Sequence, residues 1–157
     1  MRKECLEFKM DDLDKRILNK LVANSRMSYQ EIARELVVSG GTIHVRINKM
    51  KEAGIIKGSK LLIDVRKLGF EFHAFVGINL VKARDYSTVL EKLKKFPEVV
   101  EVHYTTGQFS LFVKTLSRNA KDYHLFLIEK LQSIQGIQST ETIISLDNPV
   151  NKDAKIY

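Results

Sequence analysis

The chain is poor in the residues that staple, ligate or anchor. Its 157 residues contain one cysteine, Cys5, no tryptophan and two prolines. A single thiol excludes an internal disulfide framework and fits a reducing compartment. The longest apolar runs, such as Leu61-Leu62-Ile63, fall far short of the roughly 20 residues that span a bilayer. The opening stretch, with Arg2, Lys3, Glu4, Glu7 and Lys9, has no apolar core of a secretory signal. The histidines His44, His73, His103 and His124 are far apart and have no cysteine beside them, so no metal-ligand spacing results. No Walker or dinucleotide glycine pattern is present, and Gly40-Gly41 is too short to cradle a pyrophosphate. Glu101, His103 and Glu141 are accounted for by alternating strand polarity rather than acid–base chemistry. These absences argue against an enzyme, a cofactor or metal protein and a membrane protein. The expectation is a cytoplasmic protein.

What is present is ordinary globular composition, 44% hydrophobic and 29% charged, with a formal net charge of +7. The length suits one domain or two small ones. The charge is unevenly spread: residues 1–68 hold 15 Lys+Arg against 9 Asp+Glu, and residues 69–157 hold 11 against 10. Within the first part, Thr42–Lys60 carries Arg46, Lys49, Lys51, Lys57 and Lys60 against the single acid Glu52. A local basic stretch of this kind is the footprint of a nucleic-acid surface.

The first half predicts three helices. Asp11 caps the first, with Leu13, Ile17, Leu18 and Leu21 at helical spacing. Ser28 and Glu31 make a capping box ahead of Ile32, Ala33 and Leu36. Ser39-Gly40-Gly41 permits a tight reversal, and Ser39 caps a third helix that buries Ile43, Ile47 and Met50 and stops at Gly54. Two short helices joined in this way make a helix-turn-helix. A rotation of about 100° per residue turns Gly41, Val45, Asn48 and Lys49 outward, with Thr42, His44 and Arg46 on the flanks. That surface suits the major groove. Lys49 is placed for a phosphate or a guanine edge; Arg46 is placed for a phosphate, a base or an internal carboxylate. The run Ile55–Ile63 around Lys57-Gly-Ser-Lys60 predicts a β-hairpin wing whose two lysines meet backbone phosphates.

After a connector, 64–71, the period changes from helical to alternating. Phe72, Ala74, Val76, Ile78 and Leu80 predict a strand, and Asp85 caps a helix that stops at Pro97. Val100, Val102 and Tyr104 predict a second strand, and Phe109, Leu111 and Val113 one face of a third. Asn119 caps a helix bearing Tyr123, Leu127, Leu131 and Ile134, and Ile137–Ser145 is the last strand. The order β-α-β-β-α-β is the ferredoxin-like plan, with one sheet face left to cover. Gln138, Thr140 and Thr142, with the turn at Gly107, offer small polar groups suited to a zwitterion; threonine's preference for strands is the competing account.

Three blocks together resemble the Lrp/AsnC family of bacterial and archaeal transcription regulators. They are Asp11-Asp-Leu-Asp14 with Ile17-Leu18 and Leu21; Val38-Ser39-Gly-Gly-Thr-Ile43 with Arg46-Ile47, Met50 and Gly54-Ile55-Ile56; and Tyr104-Thr-Thr-Gly107-Gln-Phe-Ser110. The tracts Tyr104–Phe112 and Ile137–Pro149 are most similar to the asparagine-responsive AsnC branch. The resemblance implies an α+β protein: a winged helix-turn-helix over 1–63, the connector, and a ferredoxin-like amino-acid-sensing and oligomerisation domain over 72–157. It implies homodimers through the sensing sheets, with the connector strand contributing, and octamers built as rings of four dimers. Double-stranded DNA and an amino acid, asparagine foremost, are the implied ligands.

On the DNA side the resemblance falls on Ser39, Thr42, His44, Val45, Arg46, Asn48, Lys49, Lys57 and Lys60. On the effector side it falls on Tyr104, Thr106, Gly107, Gln108 and Ser110, with Gln138, Thr140 and Thr142 supplied by a neighbouring subunit. Two departures stand out. Many relatives carry Asp at the position of Ser110, although AsnC-like members share the serine, and many carry Pro at the position of Gly40. The competing function is an architectural DNA-binding protein without an effector, which would not need the polar set around Gly107.

Overall fold

A computed structural model describes residues 8–152, 154, 156 and 157; Cys5 lies outside them. The chain divides into two compact units. One runs up to Leu62 and includes Val150–Tyr157; the other is Ile63–Pro149. The connector thus belongs to the second unit, and the end of the expected sensing domain belongs to the first.

The first unit holds α1 (Asp12–Ala23), α2 (Tyr29–Leu36) and α3 (Gly40–Glu52). Each begins at the residue whose side chain the sequence offers as a cap. The Asp14 N–H donates to Asp11 Oδ1 at 2.9 Å, the Glu31 N–H to Ser28 Oγ at 3.2 Å, and the Thr42 N–H to Ser39 Oγ at 3.1 Å. Such a cap contributes about 1 kcal/mol by satisfying an otherwise orphaned donor. Ile17, Leu18, Ile32, Ala33, Leu36, Ile43, Ile47 and Met50 form the buried cluster, and Ile156 packs against it from the far end of the chain. The Asn19 Nδ2 donates to Ile156 O at 3.0 Å.

Two local expectations change. The reversal between α2 and α3 is made by Val37, which sits in the left-handed region at φ 57°, while Gly40 and Gly41 are already helical. The run Ile55–Ile63 contains no strand. The Ile55 and Ile56 N–H groups both donate to Met50 O, finishing α3, and Ile56 packs on the helical cluster. Beyond it, Leu61, Leu62 and Ile63 are exposed, so the wing segment has no buried face to pay for pairing.

In the second unit the elements follow as β1 (Phe72–Leu80), α4 (Tyr86–Leu93), β2 (Val99–Tyr104), β3 (Leu111–Ser117), α5 (Ala120–Leu125) and β4 (Ile137–Ile144). The sheet order is β2-β3-β1-β4, antiparallel throughout. This is the expected ferredoxin-like arrangement. Alternation sends Ala74, Val76, Ile78, Leu80, Leu111 and Val113 to one face, where they pack with Val89 and Leu93 of α4 and Tyr123 of α5. Asp85 does not cap α4 directly; its carboxylate accepts from the Lys82 N–H at 3.1 Å in the turn before it. After Leu125 the chain widens into a π-helical turn, Phe126–Leu131, with the Gln132 N–H donating to Leu127 O. The extra residue brings Phe126 into the core and leaves Leu127 at its margin.

The opposite sheet face carries a row of aromatic rings. Phe75 stacks on Phe112 with centroids 5.4 Å apart, and Phe109 lies 6.3 Å from Phe112. Phe109 therefore does not share a face with Leu111 and Val113, as alternation predicts. It precedes β3 and lies over Gly77, where a Cβ would approach its ring to 2.6 Å. Glycine at 77 is what lets the ring lie against the strand.

Candidate DNA interface and effector turn

On α3 the inward stripe Ile43, Ile47 and Met50 is fully buried, which fixes the rotation of the helix. Gly41, His44, Val45 and Lys49 are exposed, and Thr42, Arg46 and Asn48 are half-buried. Val45 is 52% exposed, unusual for a β-branched side chain in a helix that also has a core face. Ser39 and Thr42 are engaged with each other, Oγ to Oγ1 at 2.8 Å. His44 Nδ1 lies 3.4 Å from Asn48 Nδ2, and its ring meets Tyr29 edge-on at 5.8 Å. Lys49, Lys57 and Lys60 are exposed and, among the described residues, have no ion-pair partner. Free cations are the groups that displace counterions on a phosphate backbone.

Arg46 differs from the other cations of this surface. Its Nη1 donates to Asp11 Oδ2 at 2.6 Å and to Asp14 Oδ1 at 2.9 Å. Of the three roles open to it from sequence, the structure places it with internal carboxylates. Its pKa is raised by these hydrogen bonds, Asp14 first and Asp11 second. That of Asp11 is lowered by the Asp14 N–H first and by Arg46 next. A cleft of about 540 Å³ is lined by these three residues, by Gly41, Thr42, Val45 and Lys49 of α3, and by Phe8 and Lys9 ahead of α1. Sequence reasoning missed Phe8, Lys9 and the second role of the two capping aspartates. The available signal was a pair of aspartates three residues apart at the start of one helix and an arginine on the flank of another.

The second candidate site is the turn between β2 and β3. Tyr104, 64% exposed, rests its ring edge-on against Tyr86 at 4.8 Å. The Thr105 N–H donates to Ser110 O at 3.1 Å, and Thr105 Oγ1 donates to Phe109 O at 2.7 Å, closing the loop. The Ser110 N–H in turn donates to Ile78 O at 2.9 Å, and its Oγ accepts from the Leu80 N–H at 3.4 Å. Gly107, at φ 119°, turns the chain in a region open to few other residues. Thr106, Gly107 and Gln108 are left exposed, and no charged side chain lies within Tyr104–Ser110. The turn therefore offers neutral donors and acceptors on a tied-down backbone.

The β4 residues are arranged differently from expectation. Thr140 pairs with Ile78 and Thr142 with Val76, so both point to the helix-covered face. Thr142 Oγ1 lies 2.6 Å from the Tyr123 hydroxyl, and Thr140 Oγ1 accepts from Gln132 Nε2 at 3.4 Å. Burial raises the Tyr123 pKa against the opposing effect of that Thr142 hydrogen bond, so the phenol stays protonated. Ser139, Glu141 and Ile143 occupy the other face. Gln138 is exposed near the end of the sheet where β1 finishes and the Gly107 turn lies. Within one chain β4 and β2 are opposite edges, so the structure does not bring Thr140 and Thr142 to the turn.

Comparison with known proteins agrees with this division. Residues 10–57 match the model for a winged helix-turn-helix DNA-binding domain, and residues 73–154 match the Lrp/AsnC ligand binding domain. The chain is 49% identical over 146 residues to the regulatory protein AsnC of Haemophilus influenzae, covering 93% of this chain and 97% of that protein. It is 45% identical over 148 residues to its counterpart in Escherichia coli K12, covering 94% and 97%. The solved structure of Escherichia coli AsnC superposes with a TM-score of 0.90 at 44% identity, covering 94% of this chain and 99% of that one. A Neisseria meningitidis regulator solved as an L-Met complex shares the fold at a TM-score of 0.86 and 22% identity, covering 91% and 94%. No described helix is long and apolar enough to cross a membrane. With a DNA-binding unit, a ligand-binding unit and close relatives of nearly its own length, the chain belongs to the Lrp/AsnC family of amino-acid-responsive transcriptional regulators, which are DNA-binding proteins and not enzymes.

Proposed function

We propose that the protein binds operator DNA in the cytoplasm and changes its DNA affinity on binding asparagine at the Gly107 turn. The observation that carries the effector reading is the turn itself. A backbone pinned at Thr105 and Ser110 presents Thr106 and Gln108 free, with no fixed charge to favour an acidic or basic side chain. Tyr104, Thr106, Gly107, Gln108 and Ser110 form the first part of the pocket, and Gln138 of a neighbouring subunit completes it. Thr142 and Thr140 act at one remove, by fixing α5 through Tyr123 and the end of the π-helical turn through Gln132. The choice of asparagine among the amino acids rests on the resemblance of Tyr104–Phe112 and Ile137–Pro149 to the AsnC branch.

On the DNA side, Val45, Asn48 and Lys49 face base edges. Ser39, Thr42 and His44 flank them, and Lys57 and Lys60 meet phosphates. Dimers form through the aromatic sheet face, and four dimers close into an octamer. A thermal-shift panel of the twenty amino acids on the full chain tests the effector, since a ligand of the native state raises its melting temperature. Asparagine is expected to give the largest shift and to alter DNA affinity. A flat panel would leave DNA binding without an effector.

A further inference from the structure

The capping box of α1 and the side chain of Arg46 form one closed set of bonds. The Asp14 N–H donates to Asp11 Oδ1, and the Asp11 N–H donates to Asp14 Oδ2 at 3.1 Å. Each carboxylate thus spends one oxygen on the start of α1. Arg46 Nη1 takes the remaining two, Asp11 Oδ2 and Asp14 Oδ1. All four carboxylate oxygens have a donor, and Asp14 is buried at 3% exposure. The result is a brace from the first turn of α1 to the middle of α3. Its α3 end lies next to Val45 and within one turn of Lys49.

The charges of this set decide its relation to DNA. Two carboxylates on one guanidinium leave a net charge of −1, which repels a phosphate rather than holding one. Without Arg46 the same cleft would present −2 beside Lys9 and Lys49. Nη1 is spent on the two carboxylates, and the rest of the guanidinium faces the cleft with a charge that the two acids already outweigh.

We propose that Arg46 is a positioning residue of the DNA interface, setting the angle of α3 through Asp11 and Asp14 and cancelling their charge without itself taking a phosphate. The inference rests on the DNA-binding reading above. Its consequence is that Arg46 governs discrimination between sequences, its part in non-specific attraction being limited to the one charge it cancels.

The test uses the full chain and two duplexes. One carries the sequence that the unaltered protein selects from random DNA, and the other is a scrambled version of it. Melting temperatures are measured for every variant, and binding is measured well below them. Arg46→Met is expected to lower affinity for the selected duplex about tenfold or more, the effect of misplacing one base contact. Because the cleft then carries one more negative charge, affinity for the scrambled duplex should fall too, but by less, so that the ratio of the two affinities narrows while the slope of log affinity against log salt stays unchanged. Asp14→Asn should lose discrimination in the same way, and Arg46→Lys, which keeps the cation, should recover part of it. The double variant Arg46→Met/Asp14→Asn removes the buried charge together with its partner, so it remains informative if Arg46→Met folds poorly. It should be no worse than Arg46→Met alone.

A slope reduced by about 0.9, with equal losses on both duplexes, would make Arg46 a phosphate contact and overturn the proposal. A lower melting temperature with an unchanged ratio of affinities would reduce the brace to fold stability and overturn it too. Failure of the unaltered protein to select any sequence would instead remove the DNA-binding reading itself.

Discussion

At the scale of single residues, the conformation of Val37 carries the clearest cost. A β-branched residue in the left-handed region is disfavoured by roughly 1–2 kcal/mol, and Val37 is 89% exposed, so packing returns little. Val37→Gly is expected to stabilise the first unit by about 1 kcal/mol in urea unfolding. A variant no more stable than the parent would show that the strain is relieved in some other way. This residue also shows what the sequence hides. Ser39-Gly40-Gly41 attracts the eye because glycine tolerates reversals, yet the hydrogen bond from the Thr42 N–H to Ser39 Oγ starts the helix there, and the turn falls two residues earlier. Phe109 is hidden for a different reason. Its place depends on the missing Cβ of Gly77 on another strand, which no local pattern reveals.

At the scale of elements, what could be read from sequence was whatever is local. Asp11, Ser28, Ser39 and Asn119 all cap the helices expected of them, because a cap and the N–H that donates to it lie three residues apart. The wing was less accessible, since its lysines and apolar runs look like a hairpin whether or not anything covers them. The π-helical turn escapes periodicity altogether, because its inserted residue puts Phe126 and Leu131, five positions apart, on the core side together.

The capping boxes also impose a pH dependence. Asp11 and Glu31 both have lowered pKa values, Asp11 chiefly through the Asp14 N–H and Glu31 chiefly through the Ser28 N–H. A carboxylate with a depressed folded-state pKa stabilises at neutral pH, and that contribution fades as pH falls below about 4, the ordinary carboxylate value. The helices of the first unit should therefore loosen progressively under acid. Glu31→Gln keeps an acceptor for the Ser28 N–H but does not titrate. In a far-ultraviolet circular dichroism titration it is expected to be slightly less helical than the parent at neutral pH and to lose less on acidification.

At the scale of the whole molecule, the sequence-level charge map and the structural division coincide. The basic excess sits in the unit that holds α3, and the near-neutral remainder forms the sheet and its two helices. The aromatic row Phe75, Phe112 and Phe109 lies on the sheet face that α4 and α5 leave uncovered. An apolar face of this kind is what a second copy buries. Phe112→Asp places a charge at its centre and is expected to convert the assembled protein to monomers in sedimentation analysis. The melting of the helix-covered core should persist. Retention of the native assembly would move the proposed dimer contact elsewhere.

The return of Val150–Tyr157 to the first unit bears on the order of folding. The bond from Asn19 to Ile156 O joins positions 137 residues apart, a slow closure for an open chain. The second unit shortens that path, because Arg66 near its start pairs with Asp147 near its end at 3.4 Å. The three helices share one buried cluster, and Ile156 reaches it only because the chain returns after the sheet. The packing of the DNA-binding unit is thus completed by a segment that follows the whole ligand-binding unit in the chain.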